Sequence, residues 1–240
     1  MTADDLPESF AALPSAWREA LPGWTPARLD ALVARIRAVS GDRPIAPADP
    51  FRALRLVAPG DARVVVFGQD PYPTAGHADG LAFSAGAGRP VSLRRIFAVL
   101  AKDRPGWTPP AAWSLDDWAR QGVLLLNPVL TVEVGRIASH LEVGWQALTS
   151  QVVTHLVHRA PPPVFLLWGS RAQDFFEAAA GSAAAMVTVH RTRHPSNDFR
   201  REFMATGSHF VATAGLVDWW AVGAPPASGT LALDARRLLL

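Results

Sequence analysis

The sequence contains no cysteine, which excludes disulfide bonds, thiolate zinc sites and cysteine nucleophiles and suits a reducing compartment. Lysine is also scarce: Lys102 is the only one, and the other 22 of the 23 basic residues are arginine. No apolar run approaches the roughly 20 residues needed to span a bilayer. The acidic start, MTADDLPESF, lacks the basic and apolar segments of a secretory signal. We therefore expect a cytoplasmic protein with no membrane association.

The chain has enough apolar material for a large core. Its 240 residues are 49% hydrophobic and 18% charged, which fits an α/β domain and argues against disorder. The net charge is only +2, although the sequence pI is about 9.9. Arginine can bind phosphate with both arms of its guanidinium group. A GC-rich genome also favours arginine over lysine, so composition alone leaves nucleic-acid binding open.

Four short apolar runs have the length and composition of buried strands. Continuous apolar character over four to six residues is typical of parallel strands covered on both faces. The runs are VVVF at 64–67, VLLLN at 123–127, VFLLW at 164–168 and MVTVH at 186–190. Segments with helical spacing lie at 26–39, 92–103, 144–159 and 170–180. This alternation predicts a three-layer α/β/α fold around a central four-stranded, mainly parallel sheet.

The pattern also predicts how the chain is divided. Neither an internal repeat nor a linker of domain-separating length interrupts it, so we expect a single domain over residues 1–240. Residues 1–25 are rich in proline and tryptophan, and residues 223–240 open on GAPPASG. We expect both segments to be peripheral.

Polar residues follow each predicted strand. GQDPYP at 68–73 follows the first strand, and Asn127 ends the second. Residues 169–171 (GSR) follow the third, and RTRHPSNDF at 191–199 follows the fourth. Because ligands of such sheets bind beyond the carboxyl ends of the strands, these four separate segments predict one common site.

In sequence and order, these segments resemble the family 1 uracil-DNA glycosylases. The shared stretches, which run from about Val64 to about Phe210, are GQDPYP, GHADGLAFS, GVLLLNPVLTVEVG followed by SH at 139–140, VFLLWGSRAQ and HPS at 194–196. The resemblance implies a monofunctional DNA-repair hydrolase. Such an enzyme flips uracil out of DNA and cleaves its N-glycosidic bond, releasing free uracil and leaving an abasic site. It implies further a monomer that acts on single- and double-stranded DNA without a cofactor or a metal.

The resemblance assigns the charge separation of bond cleavage to two residues. Asp70 is expected to orient the attacking water and to stabilise the cationic sugar. His194, as a neutral imidazole, is expected to donate to the uracil O2 as that oxygen becomes anionic. Outside this motif, Asp70 would be an ordinary turn aspartate before proline, and His194 a surface histidine.

Four further residues are expected to bind uracil. Asn127 offers one donor and one acceptor to the Watson–Crick edge of the base, which disfavours cytosine. Phe83 would stack on the flipped base, since such stacking contributes roughly 1–3 kcal/mol per base. Tyr72, the only tyrosine in the chain, would exclude thymine by occupying the place of its C5 methyl group, and Gln69 would support the pocket. His140 is expected to have a supporting role at most.

Contacts with the DNA backbone are expected from Ser92, Ser170 and Ser196, which match serines that hold phosphates in the family. Short hydroxyl side chains and backbone N–H groups position a strand without reading its sequence. A serine alone is uninformative, because most serines in such places are helix N-caps.

The last loop departs from the family. The family's loop runs HPSPLS, and its leucine fills the space that the flipped base leaves in the duplex. Here the loop runs HPSNDF, which places Asp198 at the leucine position and Phe199 at the last serine. A carboxylate cannot fill an apolar gap, so we expect Phe199 to act as the wedge, with Arg200 and Arg201 as alternatives. Protein inhibitors that mimic DNA and capture this leucine are accordingly expected to bind weakly or not at all.

Three other functions fit parts of the sequence. A DNA-binding protein could keep the pocket without turnover, and a related glycosylase could accept a broader range of bases. A glycoside hydrolase with two carboxylates would need Asp79 or Glu133 beside Asp70. His155 and His158 share one predicted helix, but no third metal ligand is implied.

Overall fold

The computed structural model describes residues 1–196, 198 and 200–223. Its strands are β1 (Ile45–Ala46), β2 (Val64–Phe67), β3 (Val123–Leu126), β4 (Val132–Glu133), β5 (Val164–Trp168) and β6 (Val189–Thr192). Its α-helices are α1 (Leu6–Ala11), α2 (Ser15–Ala20), α3 (Pro26–Ser40), α4 (Arg52–Leu56), α5 (Val91–Asp103), α6 (Asp116–Arg120), α7 (Gln146–Val157), α8 (Ser170–Ala180) and α9 (His209–Ala212). Two 3₁₀-helices span Ala3–Asp5 and Gly181–Met186.

A four-stranded parallel sheet in the order β3-β2-β5-β6 forms the centre of the fold. Every residue of β2 and β3 is buried, as expected for strands covered by helices on both faces. The three-layer α/β/α architecture with a four-stranded sheet is therefore confirmed. The predicted helices are also present, with ends that differ from the prediction by at most two residues.

The register of the sheet brings the carboxyl ends of its strands to the same level. Phe67, the last residue of β2, lies beside Leu126 of β3 and Leu167 of β5. Trp168, at the end of β5, lies beside Thr192 of β6. The segments that follow the four strands therefore leave the sheet side by side.

The fourth predicted strand was placed three residues too early. The prediction was 186–190, whereas β6 spans Val189–Thr192 and Met186 closes a 3₁₀-helix. The strand lies at the edge of the sheet and is only half-buried, so its residues are not continuously apolar. Pairing with β5 fixes its position instead, with Val189 beside Phe165. Because the strand ends at Thr192, His194 follows it closely.

A second, two-stranded sheet was not predicted from the sequence. β1 pairs antiparallel with β4, so that Ile45 lies opposite Glu133. Strands of two residues carry no periodic signal. The pair holds the chain that follows β3, and thereby the loop at 134–140.

The N-terminal segment contributes to the core. Trp17, on α2, is fully buried, and its indole N–H donates to the carbonyl oxygen of Val57 at 2.8 Å. Leu6 is fully buried as well. At the other end, the backbone N–H of Gly223 donates to Asp117 at 2.7 Å, and residues 224–240 lie outside the described part. Within residues 1–196, 198 and 200–223, no helix combines the length and the apolar character that crossing a bilayer requires.

Candidate active site

A cavity of about 450 Å³ opens at the carboxyl ends of the strands. All six residues predicted to act on uracil line it, together with two of the three predicted phosphate-binding serines. These residues are Gln69, Asp70, Tyr72, Phe83, Asn127, His194, Ser92 and Ser196. Ser170 does not line the cavity; it is exposed at the start of α8. The segments that follow β2, β3 and β6 thus line one cavity, whereas residues 169–171, which follow β5, contribute no residue to its lining.

Gly68 makes the position of Asn127 possible. The glycine follows β2, and its N–H donates to the carbonyl oxygen of Leu126 at 3.2 Å. A Cβ on Gly68 would lie 2.3 Å from Oδ1 of Asn127 and 3.3 Å from Cβ of Ala82. The carboxamide of Asn127 therefore occupies space at the end of β2 that only glycine leaves free.

Phe83 and Tyr72 form the aromatic part of the cavity. The ring of Phe83 lies with its centroid 5.1 Å from that of Trp168 and 5.6 Å from that of His194. Its φ of +66° is rare for a bulky residue, and such strain is often found at functional sites. The hydroxyl of Tyr72 donates to the carbonyl oxygen of Phe83 at 3.0 Å. Burial raises the pKa of Tyr72, so the ring stays uncharged.

Ser92 is close to this pair. Its side chain acts against the effect of burial on the pKa of Tyr72, and the residue is only 6% exposed. It lines the cavity at the second position of α5. The phosphate contact predicted for Ser92 stays a prediction.

His194 is held as a neutral ring with a defined proton position. The backbone N–H of Ser196 donates to Nδ1 of His194 at 3.2 Å, and the hydroxyl of Ser196 lies 2.7 Å from the same nitrogen. Because Nδ1 accepts, the proton of the neutral ring belongs on Nε2. Burial lowers the pKa of His194 to about 4, so the ring is neutral at pH 7. His194 can thus donate one hydrogen bond through Nε2.

A second glycine allows His194 to approach the sheet. Gly169 follows β5 with a φ of +105°. A Cβ at this position would lie 2.9 Å from Cβ of His194. Any larger residue at position 169 would push the imidazole away from the cavity.

Asp70 is a half-buried carboxylate surrounded by donors. Burial raises its pKa, while the nearby charge of Arg171, a hydrogen bond from the side chain of Gln69 and one from the backbone N–H of Ala138 lower it. Arg171 and Ala138 were not assigned a role from the sequence. Ala138 acts through its backbone, which leaves no side-chain signal, and its φ of +60° shows that the loop is constrained there.

The loop at 134–140 rests on a buried polar network. His140 is fully buried, with Nδ1 2.8 Å from Oγ1 of Thr131 and Nε2 2.8 Å from Oγ of Ser40. The indole N–H of Trp145 donates to Oγ1 of Thr131 at 2.7 Å. Burial lowers the pKa of His140 to about 4. The supporting role predicted for His140 fits this arrangement, but Ser40 lies 100 residues away in sequence and gave no signal.

The two alternative carboxylates, Asp79 and Glu133, are engaged by other partners and do not line the cavity. Asp79 accepts from the hydroxyl of Ser84 at 2.6 Å and pairs with Arg52 at 3.3 Å. Glu133 is 3% exposed and pairs with Arg43 at 2.9 Å. Of the described residues that line the cavity, only Asp70 carries a carboxylate. Among the described residues, neither Asp79 nor Glu133 therefore stands beside Asp70 in the cavity.

The described part of the last loop explains what Asp198 does. Its side chain is only 6% exposed and forms an ion pair with Arg95 of α5. Its Oδ1 accepts from the backbone N–H of Phe203 at 2.7 Å. Asp198 thus ties the loop to the body of the protein, and it is not available as a wedge. Phe199, the predicted wedge, lies outside the described residues.

The two arginines of this loop differ in their surroundings. Arg201 has a φ of +56° and borders a second hollow of about 310 Å³ beside the cavity, together with Arg95 and Ser196. Arg200 is exposed. Only Arg201 is therefore shown to lie beside the cavity.

The histidines of α7 form no metal site. The ring of His155 packs edge-on against Trp17 at 6.2 Å, and Nδ1 of His158 lies 2.7 Å from the carbonyl oxygen of Thr154. Across the part of the chain that the structure describes, no group of three or more metal-ligating side chains is found.

Comparison with known proteins identifies similar chains. The sequence model of the Uracil DNA glycosylase superfamily matches residues 54–214. The chain is 43% identical to the uracil-DNA glycosylase of Bordetella petrii over 72% of this chain and 70% of that protein. It is 43% identical to that of Albidiferax ferrireducens over 90% of this chain and 96% of that protein.

Solved structures share the fold. The crystal structure of mimivirus uracil-DNA glycosylase has a TM-score of 0.63 to this chain at 22% identity, with 76% of each chain covered. A variant of that mimivirus protein, solved in complex with UGI, has a TM-score of 0.62 at 22% identity and covers 75% of this chain and 77% of that one.

The contact between Gly68 and Asn127 leads to a first prediction. In Gly68→Ala, the new Cβ would displace the Asn127 carboxamide, because the two atoms would be only 2.3 Å apart. We expect kcat/KM for the uracil excision that the sequence predicts to fall by roughly two orders of magnitude, the cost of a misplacement of about 1 Å. Gly60→Ala is the matched control, since a Cβ there meets nothing within 4 Å. Equal activity of the two variants would contradict this account of Asn127.

Proposed function

The chain belongs to the uracil-DNA glycosylase superfamily, and we propose that Asp70, Asn127 and His194 carry out its reaction. The protein is a DNA-repair hydrolase that flips uracil out of DNA and cleaves the N-glycosidic bond. It releases free uracil and leaves an abasic site. One observation supports the assignment above all: a single carboxylate, a neutral imidazole and a carboxamide line the same cavity from three different strand ends.

The proposed reaction separates charge between two groups. The bond between C1′ of deoxyribose and N1 of uracil breaks, and its electron pair stays on the uracil, mostly at O2. The Nε2–H of His194 donates to that oxygen, and the carboxylate of Asp70 stabilises the positive charge on the sugar. Water then adds to C1′ and gives its proton to Asp70. Asp70 returns a proton to solvent, and the uracil anion takes one up as it leaves. These steps balance without a cofactor.

Base choice follows from three groups around the cavity. Phe83 offers its face to the flipped base, and Asn127 pairs with the Watson–Crick edge. Tyr72 stands where the C5 methyl of thymine would lie, and its bond to Phe83 keeps the ring rigid. Gln69 contributes its hydrogen bond to Asp70. This arrangement supports selectivity for uracil over a broader range of bases.

We propose that the DNA backbone is held by Ser92, Ser170 and Ser196, with Arg200 and Arg201 near the last loop. The substrate would be uracil in either single- or double-stranded DNA. Since every proposed group comes from this one chain, we further propose a monomer that acts as one domain in the cytoplasm. A DNA-binding protein without turnover would gain nothing from Asp70, because a carboxylate repels the phosphates of DNA.

The central test is Asp70→Asn, measured on uracil-containing oligonucleotides in single-stranded and duplex form. Without the carboxylate, the sugar cation and the attacking water lose their partner, so excision should fall by about 100-fold or more on both substrates. Binding of the oligonucleotide should persist. Full activity of Asp70→Asn would refute the assignment, and a natural chain that binds DNA without excision would favour the non-catalytic alternative.

Arg171→Gln provides a second test of Asp70 at the same site. Asp70 must be ionised, so kcat/KM should fall as pH drops through its pKa, which burial raises above 3.8. Because the charge of Arg171 lowers this pKa, its removal should move the acid limb of the profile to higher pH. Arg171→Lys should keep the natural limb. An acid limb that stays at the same pH in Arg171→Gln would show that the limb does not report the ionisation of Asp70.

The wedge can be tested with Phe199→Ala. If Phe199 fills the space left by the flipped base, excision from duplex should fall by roughly tenfold or more, because a few kcal/mol of unstacking is no longer offset. Excision from single-stranded DNA should change little. Arg200→Ala and Arg201→Ala are the comparison variants. Equal losses on both substrates would rule Phe199 out, and a loss confined to duplex in an arginine variant would assign the wedge to that arginine.

The inward orientation of Asp198 also bears on inhibitors that mimic DNA. Such inhibitors capture an apolar side chain at the family's leucine position, where this chain has a buried carboxylate paired with Arg95. We therefore expect no stable stoichiometric complex with UGI in a native gel. The mimivirus variant crystallised with UGI provides the positive control. A stable complex with this chain would contradict the expectation.

A further inference from the structure

Exposed apolar side chains are few in the described residues, and two of them border the cavity. Ile137 is 79% exposed and Val91 is 54% exposed, and both line the opening. Met186 is 75% exposed, nearly as much as Ile137. It precedes β6 and therefore lies toward the amino-terminal ends of the strands, away from the cavity. Single exposed apolar residues are common on protein surfaces. The position of Ile137 is unusual because DNA must cover the cavity opening when a base enters.

The loop that carries Ile137 is held in place on both sides. Before it, the N–H of Gly135 donates to the carbonyl oxygen of Pro73 at 2.8 Å. After it, the N–H of Leu141 donates to the carbonyl oxygen of Ala138 at 3.3 Å. The hydroxyl of Ser139 accepts from the N–H of Glu133 at 2.8 Å. The backbone of Ile137 is thus already ordered before DNA arrives, so little conformational entropy is lost when its side chain is covered.

The neighbouring Arg136 pairs with Glu133 at 3.5 Å, and its side chain is 56% exposed. Ile137 and Ala138, which follow it, are apolar. The leucine position of the last loop is occupied by Asp198, which is buried against Arg95. Ile137 therefore presents an apolar side chain to the DNA on a rigid support, where the last loop presents a carboxylate turned inward.

We propose that Ile137 contacts the DNA strand next to the flipped nucleotide, packing against the sugar or base of a neighbouring residue. The proposal rests on the proposed function, since it requires a uracil nucleotide to enter this cavity. Ile137 is a positioning residue: it holds the strand and touches neither the uracil nor the reacting bond. An apolar contact displaces no counterions, so it should contribute affinity that does not depend on salt.

The experiment compares Ile137→Ala with Met186→Ala, which removes an equally exposed apolar side chain. Steady-state excision from a single-stranded uracil oligonucleotide is measured at several salt concentrations. We expect Ile137→Ala to raise KM by about tenfold, a factor that corresponds to 1.4 kcal/mol. Its kcat and the slope of log KM against log salt should stay unchanged. Met186→Ala should match the natural chain, and Ile137→Val should restore most of the affinity.

Inhibition by free uracil and the pH profile of kcat distinguish a direct contact with DNA from an indirect effect on the cavity. Inhibition by free uracil should be the same in Ile137→Ala and the natural chain, because the base pocket is intact. A lower kcat with a shifted acid limb would mean that the loop acts only through Ala138 and Asp70, and would overturn the proposal. An unchanged KM would overturn it as well. Absence of excision in the natural chain would instead refute the proposed function, and the inference would fall with it.

Discussion

The alignment of the parallel strands is the constraint on which the site depends. Phe67, Leu126 and Leu167 lie side by side, so the chain leaves β2, β3 and β5 at the same level. Because the strand ends lie so close together, the residues that follow them cannot all carry a side chain. Gly68 and Gly169 solve this problem at β2 and β5, because the missing Cβ atoms leave space for the polar side chains that come from neighbouring segments. The sheet therefore determines which polar groups meet, and the glycines determine how closely they meet.

Burial acts on the two proposed catalytic groups in opposite directions, and the surroundings compensate for only one of them. Burial lowers the pKa of His194 to about 4, and this suits a group that must donate as a neutral ring. The same effect raises the pKa of Asp70, which must be charged, and here Arg171, Gln69 and the N–H of Ala138 act against it. Groups that lower the pKa thus surround the carboxylate and oppose the effect of burial there. The cavity combines one stabilised negative charge with one neutral donor, as cleavage by charge separation requires.

The sequence predicted the central sheet and the cavity because both leave strong local signals. Three strands are continuous apolar runs, and the groups at their ends belong to contiguous motifs. β6 was misplaced by three residues because an edge strand is half-buried, and pairing with β5 rather than composition decides its position. The support of the 134–140 loop could not be predicted. It depends on His140, in the loop, meeting Ser40 at the end of α3, and on Ala138 acting through its backbone. Neither a distant partner nor a backbone donor is marked by residue type.

Asp198, which departs from the family's leucine, lies outside the lining of the cavity and borders the neighbouring hollow. The physical demands on the cavity and on the surface around it differ. A group that acts on the reacting bond must be placed within a fraction of an ångström, so its neighbours are fixed with it. Contacts that hold a DNA strand are spread over many residues and act in small increments, so one contact can be lost and another gained elsewhere. Asp198 shows the consequence. Paired with Arg95, it turns the family's wedge position into an anchor for the loop that carries His194. The anchor holds the loop that carries the imidazole. Under the proposed function, other groups around the cavity must then hold the DNA strand.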